Sequence, residues 1–172
     1  VITLIYVSLT AIWASLLWVA GMSGFDAVAH AMTTIATGGF STYDSSIGHF
    51  KSVKIDIIIT IGMVLGSLPF LLYLMLLQGK PKNLLQDTQV RLFIITLLSL
   101  VFIVSLWLCL GKDEEPLTAL RLAAFNVVSI MTGTGYATSN FDQWGSFAIP
   151  LFFFIMFIGG CAGSTTCGIK IF

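Results

Sequence analysis

Charge is what this chain has least of. Only 9% of its residues are Asp, Glu, Lys or Arg, against roughly 25% in an ordinary soluble domain. The first charged residue is Asp26, so a full helix-length of chain passes without one. The formal net charge is +0, which lacks the basic excess of a nucleic-acid binder, and no nucleic-acid partner is expected. Cysteine is limited to three residues. Cys109, Cys161 and Cys167 lie in apolar or glycine-rich segments with no histidine near them, and they read as small apolar fillers. Paired catalytic acids, a nucleophile–base set and a phosphate loop are all missing. No enzyme chemistry and no cofactor in this chain are therefore expected.

Apolar surface is what the chain has in excess, at 57% hydrophobic residues. A soluble chain of this length could not hide so much. The expectation is an all-α integral membrane protein. Residues 1–20 are uncharged and long enough to cross ~30 Å of hydrocarbon as a helix. They lack a basic leader and a clear cleavage site, so they are not read as a signal peptide. The chain opens and closes on apolar runs and is expected to be an excerpt of a longer polypeptide.

Residues 21–24 break that first span. Ser23, with Asp26 three positions on, has the spacing of a capping box and starts a second helix over residues 25–35. That helix would be about 16 Å long at 1.5 Å per residue, too short to cross. The polar stretch ATGGFST, residues 36–42, follows, and then a polar return to a second apolar run over 53–77. Within that run, GMVLGSLPF carries Gly62, Gly66, Ser67 and Pro69, so the helix is expected to kink but continue. After a polar linker the order repeats. Residues 92–110 form a span, and GKDEEP a turn. Pro116 and the acids before it suit a helix start for residues 117–131. MTGTGYATSN, residues 131–140, then precedes another apolar run.

The two glycine-bearing stretches align. Placing Gly39 on Gly135 puts Phe40 on Tyr136 and Thr42 on Thr138, an internal repeat of about 96 residues. The expected organisation is a first unit over residues 1–78, a linker over 79–91 and a second unit over 92–172. Each unit enters and leaves on one side, so the copies run parallel about an axis normal to the membrane. Shared sites of membrane repeats lie at the repeat axis. The linker carries Lys80, Lys82 and Arg91 against Asp87, which makes it cytoplasmic. Asp26, Asp44, Asp113, Glu114, Glu115 and Asp142 then face outward, and Trp18, Trp107 and Trp144 mark the outer interface.

Glycine-rich backbone at membrane depth is tolerated where protein surrounds it or where it lines a watery path. Rings of backbone carbonyls can replace the hydration shell of a cation. The residues expected to supply them are Ala36, Thr37, Gly38 and Gly39, with Thr132, Gly133, Thr134 and Gly135. The ion would sit at Thr37, Gly38, Thr132, Gly133 and Thr134. Each half-helix ends at its stretch, so its negative end points toward the path. Phe40 and Tyr136 are expected to wedge the backbone against neighbouring helices. A last segment, GGCAGSTTCGIK over residues 159–170, crowds Gly159, Gly160, Gly163 and Gly168 around Ser164, Thr165 and Thr166. At about 1 kcal/mol per glycine a continuous helix is costly, so a break inside the membrane is expected. Close helix packing is the plain alternative.

Span, half-helix, glycine stretch, span resembles the unit of potassium channels, whose filter reads TVGYG, although ATGGF and TGTGY match it only loosely. TIATGGFST, MTGTGYATS and FIGGCAGSTTCGIKIF together resemble the second and third pore units of TrkH/KtrB-type potassium transport subunits of bacterial TrkH kind. The resemblance covers the whole chain. It implies that Gly39 and Gly135 are central filter glycines and that the break at Gly159–Gly160, Gly163–Ser164–Thr165 and Gly168 gates below them. It also implies potassium as the transported substrate and a bacterial inner-membrane location with filter mouths facing the periplasm. The parent is implied to be a homodimer with a cytoplasmic nucleotide-binding, TrkA-like partner. A secondary transporter with re-entrant half-helices is the alternative, and a structural subunit without a path is a third. Transporters of that kind usually show inverted repeats and aim helix N-termini at the substrate. His30, at the position of Asn126 in the repeat, reads as a hydrogen-bonding residue. Arg121 and Asp26 either pair with neighbours or face the interface, and Lys170 marks the inner end of the broken span.

Overall fold

A computed structural model of the chain describes residues 2–79, 82 and 86–171. The part of the linker that includes Lys80, Pro81 and residues 83–85 lies outside the described residues. Helix α1, Ile2–Val19, buries only Ile5, Trp13 and Leu17, as a helix facing lipid on most sides would. Its length and composition suit a crossing. Helix α2, Gly24–Ile35, is capped by Ser23, whose hydroxyl accepts the Asp26 N–H at 3.1 Å. The reciprocal half of a capping box is replaced by a side-chain bond, the Ser23 hydroxyl donating to the Asp26 carboxylate at 2.7 Å. Its 12 residues give about 18 Å, well short of a crossing.

The second apolar run does not continue as one helix. Helix α3, Val53–Gly66, and helix α4, Phe70–Leu77, meet at 94° across the intervening residues. This corrects the expected continuous kinked helix. Pro69 cannot donate to a helical ladder. The carbonyls freed there are taken up by the distant glycine-rich segment, with Thr165 N–H bonding Gly66 O at 3.2 Å and Cys161 N–H bonding Ser67 O at 3.1 Å.

Helix α5, Thr88–Gly111, is the second helix suited to crossing, and Asp87 caps it by accepting from the N–H groups of Gln89 and Val90. Helix α6, Pro116–Met131, begins with its proline in the first turn. Helix α7, Ala148–Ile155, has only 8 residues, about 12 Å. The chain then leaves the helix altogether. Strand β1, Ile158–Cys161, pairs in parallel with strand β2, Ile169–Ile171, with an irregular register. The break expected at residues 159–170 is therefore a folded loop closed by two short strands.

Helix α1 packs on α2 and α3, α5 packs on α6, and α3 joins the halves by packing on α6. Trp13 locks α1 to α3 by donating its ring N–H to Ile58 O at 2.9 Å. Gly62 makes room for that ring. A Cβ there would stand 2.2 Å from Trp13 Nε1 and 2.6 Å from Thr34 Cγ2. The Trp107 ring N–H donates to Trp144 O at 3.0 Å, tying the end of α5 to the turn before α7.

Gly62→Ala is expected to destabilise the protein by about 1–3 kcal/mol through overpacking. Gly24→Ala, where a Cβ meets nothing within 4 Å, is the control and should be near neutral. Thermal unfolding of the two variants in detergent checks the difference.

Candidate ion-conducting site

The two glycine-bearing stretches leave the C-terminal ends of α2 and α6 with the same backbone hydrogen bonds. Ala36 N–H bonds Met32 O, and Thr132 N–H bonds Val128 O. Gly39 N–H bonds Thr33 O, and Gly135 N–H bonds Ser129 O. A helix hydroxyl then reaches the aromatic residue's carbonyl in each, Thr33 to Phe40 O at 2.9 Å and Ser129 to Tyr136 O at 2.6 Å. Each pair is offset by 96 positions, as 135 − 39 shows.

Backbone conformation matches as well. Thr37 and Gly133 have φ of 48° and 72°, and Gly39 and Gly135 have 68° and 87°. Gly38 and Thr134, between them, do not have positive φ. Successive residues of opposite hand turn successive carbonyls toward one side, whereas an extended strand alternates them. Glycine takes the left-handed conformation freely. Thr37, a β-branched residue, does not, and its hydroxyl is tied down by donation to Ala36 O at 2.8 Å and Thr165 O at 2.9 Å.

The stretches face each other. A Cβ on Gly39 would lie 1.7 Å from Thr134 O, so only glycine fits. Tyr136 is buried, and its hydroxyl meets the Thr33 hydroxyl and donates to His30 O at 3.3 Å. It wedges the second stretch against α2, as expected. Phe40 does not do the same, being 77% exposed. Outside the stretches the returns also join, with Gly48 N–H on Ala137 O at 3.1 Å and Ala137 N–H on the Ser46 hydroxyl at 3.2 Å. A polar cavity of about 430 Å³ opens there, bordered by Asp44, Ser46, Thr138 and Asn140.

His30 and Asn126 hold the two stretches in the same way. His30 Nδ1 bonds Asp26 O at 2.8 Å, and Nε2 meets the Ser41 hydroxyl at 2.9 Å. A carbonyl can only accept, so Nδ1 carries the proton. Asn126 donates to Leu122 O and to the Thr138 hydroxyl, both at 2.9 Å. Asp26 accepts from Thr42 and Tyr43 of the return as well as from Ser23. The Thr42 hydroxyl, followed by that of Ser23, holds its carboxyl below the usual carboxylate range.

Arg121 finds a partner that sequence reasoning missed. It bonds Asp56 at 3.1 Å, joining α6 to α3. A lone acid in an apolar helix was the signal, since such charges pair inside membranes. The expected gate residues also converge. Gly159 and Gly160 pack where a Cβ would lie 2.4 Å from Cys167 O and 2.7 Å from the Thr166 hydroxyl. Gly163 and Gly168 take φ of 77° and 82°. Lys170 turns back into the loop, donating to the carbonyls and hydroxyls of Ser164 and Thr166. Among the described residues no cluster of His, Cys, Asp or Glu could hold a metal.

The profile of the TrkH family, described as cation transport protein, matches residues 1–172. The Trk system potassium uptake protein TrkH of Salmonella typhimurium is 43% identical over 170 residues, 98% of this chain and 35% of that protein. TrkI of Halomonas elongata is 40% identical over 169 residues, 98% of this chain and 34% of that protein. The crystal structure of the potassium transporter TrkH from Vibrio parahaemolyticus superimposes with a TM-score of 0.93 at 38% identity, covering 97% of this chain and 36% of that one. The chain thus spans about a third of the length of these relatives.

Gly39→Ala is expected to destabilise far more than Gly135→Ala. Both positions are left-handed, which costs a side chain about 1–2 kcal/mol. Only Gly39 also meets a backbone carbonyl, while a Cβ at Gly135 meets nothing within 4 Å. Thermal melts of the two variants test this ranking. The depressed Asp26 carboxyl stabilises the fold above its unfolded value of about 3.9 and loses that contribution as pH falls through the folded value. Thr42→Val should therefore narrow the melting difference between pH 7 and pH 3 without altering its sign.

Proposed function

This chain belongs to the TrkH family of cation transport proteins, and from that premise we propose that it supplies two of the pore units of a bacterial potassium uptake subunit. Residues 1–78 and 92–172 are the two units, joined by the linker at 79–91. Potassium ions pass singly between carbonyls of Ala36, Thr37, Gly38 and Gly39 on one side and of Thr132, Gly133, Thr134 and Gly135 on another. Further pore units of the parent complete the ring. The protein positions oxygens and the ion exchanges water for them, with binding favourable enough to enter and weak enough to leave.

The matched backbone of the two stretches is the observation that carries this reading. Left-handed residues recur at 37 and 133 and again at 39 and 135, and Gly39 abuts Thr134 O. Helices α2 and α6 also end at the stretches, so the negative ends of their dipoles favour a cation. A secondary transporter built on half-helices would aim helix N-termini at its solute instead. The returns and the polar cavity beside them form the outer mouth, and the glycine-rich loop at 159–170 lies on the inner side as a gate. The parent works in the inner membrane with its linker cytoplasmic, as a homodimer regulated by a nucleotide-binding TrkA-like partner.

Cation flux into vesicles holding a full-length family member with this segment tests the filter. Potassium flux is expected to exceed sodium flux, and Gly135→Ser should reduce that preference by about tenfold, the factor of roughly 1.4 kcal/mol in relative binding. Selectivity indifferent to Gly135 would remove the filter from this stretch.

A further inference from the structure

The glycine-rich loop is not simply placed near the first stretch; it is bonded to it through one side chain. The Thr165 hydroxyl lies 3.0 Å from Ile35 O, the last carbonyl of α2, and 3.0 Å from Gly66 O, the last of α3. Its single hydrogen is shared between two carbonyls that helix termination has left without partners. The Thr165 main chain reaches the same places. Its N–H bonds Gly66 O at 3.2 Å, and its carbonyl accepts from the Thr37 hydroxyl at 2.9 Å. Thr37 is the strained, left-handed residue at the inner end of the first stretch, with φ of 48°.

The flanking residues explain why Thr165 points this way. Ser164 and Thr166 both turn to Lys170, whose ammonium bonds them from the opposite side. Their hydroxyls also meet each other at 2.8 Å. The Ser164–Thr165–Thr166 turn is thus held by the lysine on one flank and stitched to α2 and α3 on the other.

We propose that Thr165 is a positioning residue that latches the loop to the inner end of the first filter stretch, so the loop moves only when this hydroxyl lets go of Ile35 and Gly66. The inference rests on the conduction reading above and adds to it a residue through which gate and filter share hydrogen bonds. Release of the loop exposes the Ile35 and Gly66 carbonyls and frees Thr37 to relax. Leaving the latch therefore requires other partners for those groups, such as water or an entering cation. On this proposal the latched loop is the closed state.

Two readouts in the full-length protein test this. One is potassium flux in vesicles without the cytoplasmic partner. The other is the rate at which N-ethylmaleimide modifies Cys161, which is buried in the loop with its N–H on Ser67 O, followed peptide by peptide. Thr165→Val keeps the shape and removes the hydroxyl; Thr165→Ser keeps the hydroxyl. The valine variant is expected to raise both flux and Cys161 labelling by roughly fivefold, the factor one net hydrogen bond contributes, with potassium preference unchanged. The serine variant should behave as the wild type. Unchanged labelling in Thr165→Val overturns the latch, and so does raised labelling with unchanged flux. A parent that passes no cation even with its nucleotide-binding partner bound sinks the conduction reading, and the labelling comparison then decides the latch by itself.

Discussion

Backbone groups released by a broken helix must find partners inside the protein when no water is at hand, because each unpaired amide or carbonyl in hydrocarbon costs several kcal/mol. Three breaks in this chain answer one another. The end of α2 offers Ile35 O, the gap after α3 offers Gly66 O and Ser67 O, and the glycine-rich loop supplies the hydroxyl of Thr165 and the amides of Thr165 and Cys161. The loop in turn gives Gly163 O to the amide of Phe70 at 3.1 Å, which starts α4. Remove the loop and the other two breaks are left with buried polar groups. That mutual need is why irregular structure can persist at the centre of an otherwise helical membrane protein.

The same constraint shapes the two candidate filter stretches. Each is held from behind by its own helix, through Thr33 and Ser129 in one register and through His30 and Asn126 in another. Different side chains perform the same task because the requirement is geometric: a donor to the carbonyl one turn back and a contact to a return hydroxyl. The units differ at the wedge. Tyr136 inserts against α2, whereas Phe40 stands exposed. A tyrosine can be buried there because its hydroxyl finds Thr33 and His30 O.

Much of this was legible in residues. The capping serine at 23, the proline at 116, the shortness of α2 and the offset of Gly39 and Gly135 all read directly, since they depend on neighbours in sequence. The interruption after Gly66 was underestimated as a kink. Glycine, serine and proline there weaken a helix but do not break it by themselves. The 94° turn depends on donors far along the chain, the amides of Thr165 and Cys161. The pairing of β1 with β2 was also illegible, because IGGC and IKI are too short and too irregular to carry a period-2 signal. Asp56 and Arg121 lie in different units, and nothing local in either says which charge the other will meet.

Sequence alone determined that the chain lies in a membrane, that α2 is too short to cross, and where glycine is demanded. These follow from hydropathy, helix rise and backbone freedom, which are properties of single residues and short windows. Only the tertiary structure decided that Gly39 must abut Thr134 O, that Tyr136 and not Phe40 is buried, and that Thr165 closes the loop onto Ile35 and Gly66. Those choices match donors to acceptors across distant segments, and a hydrogen bond is decided by distance and direction in space.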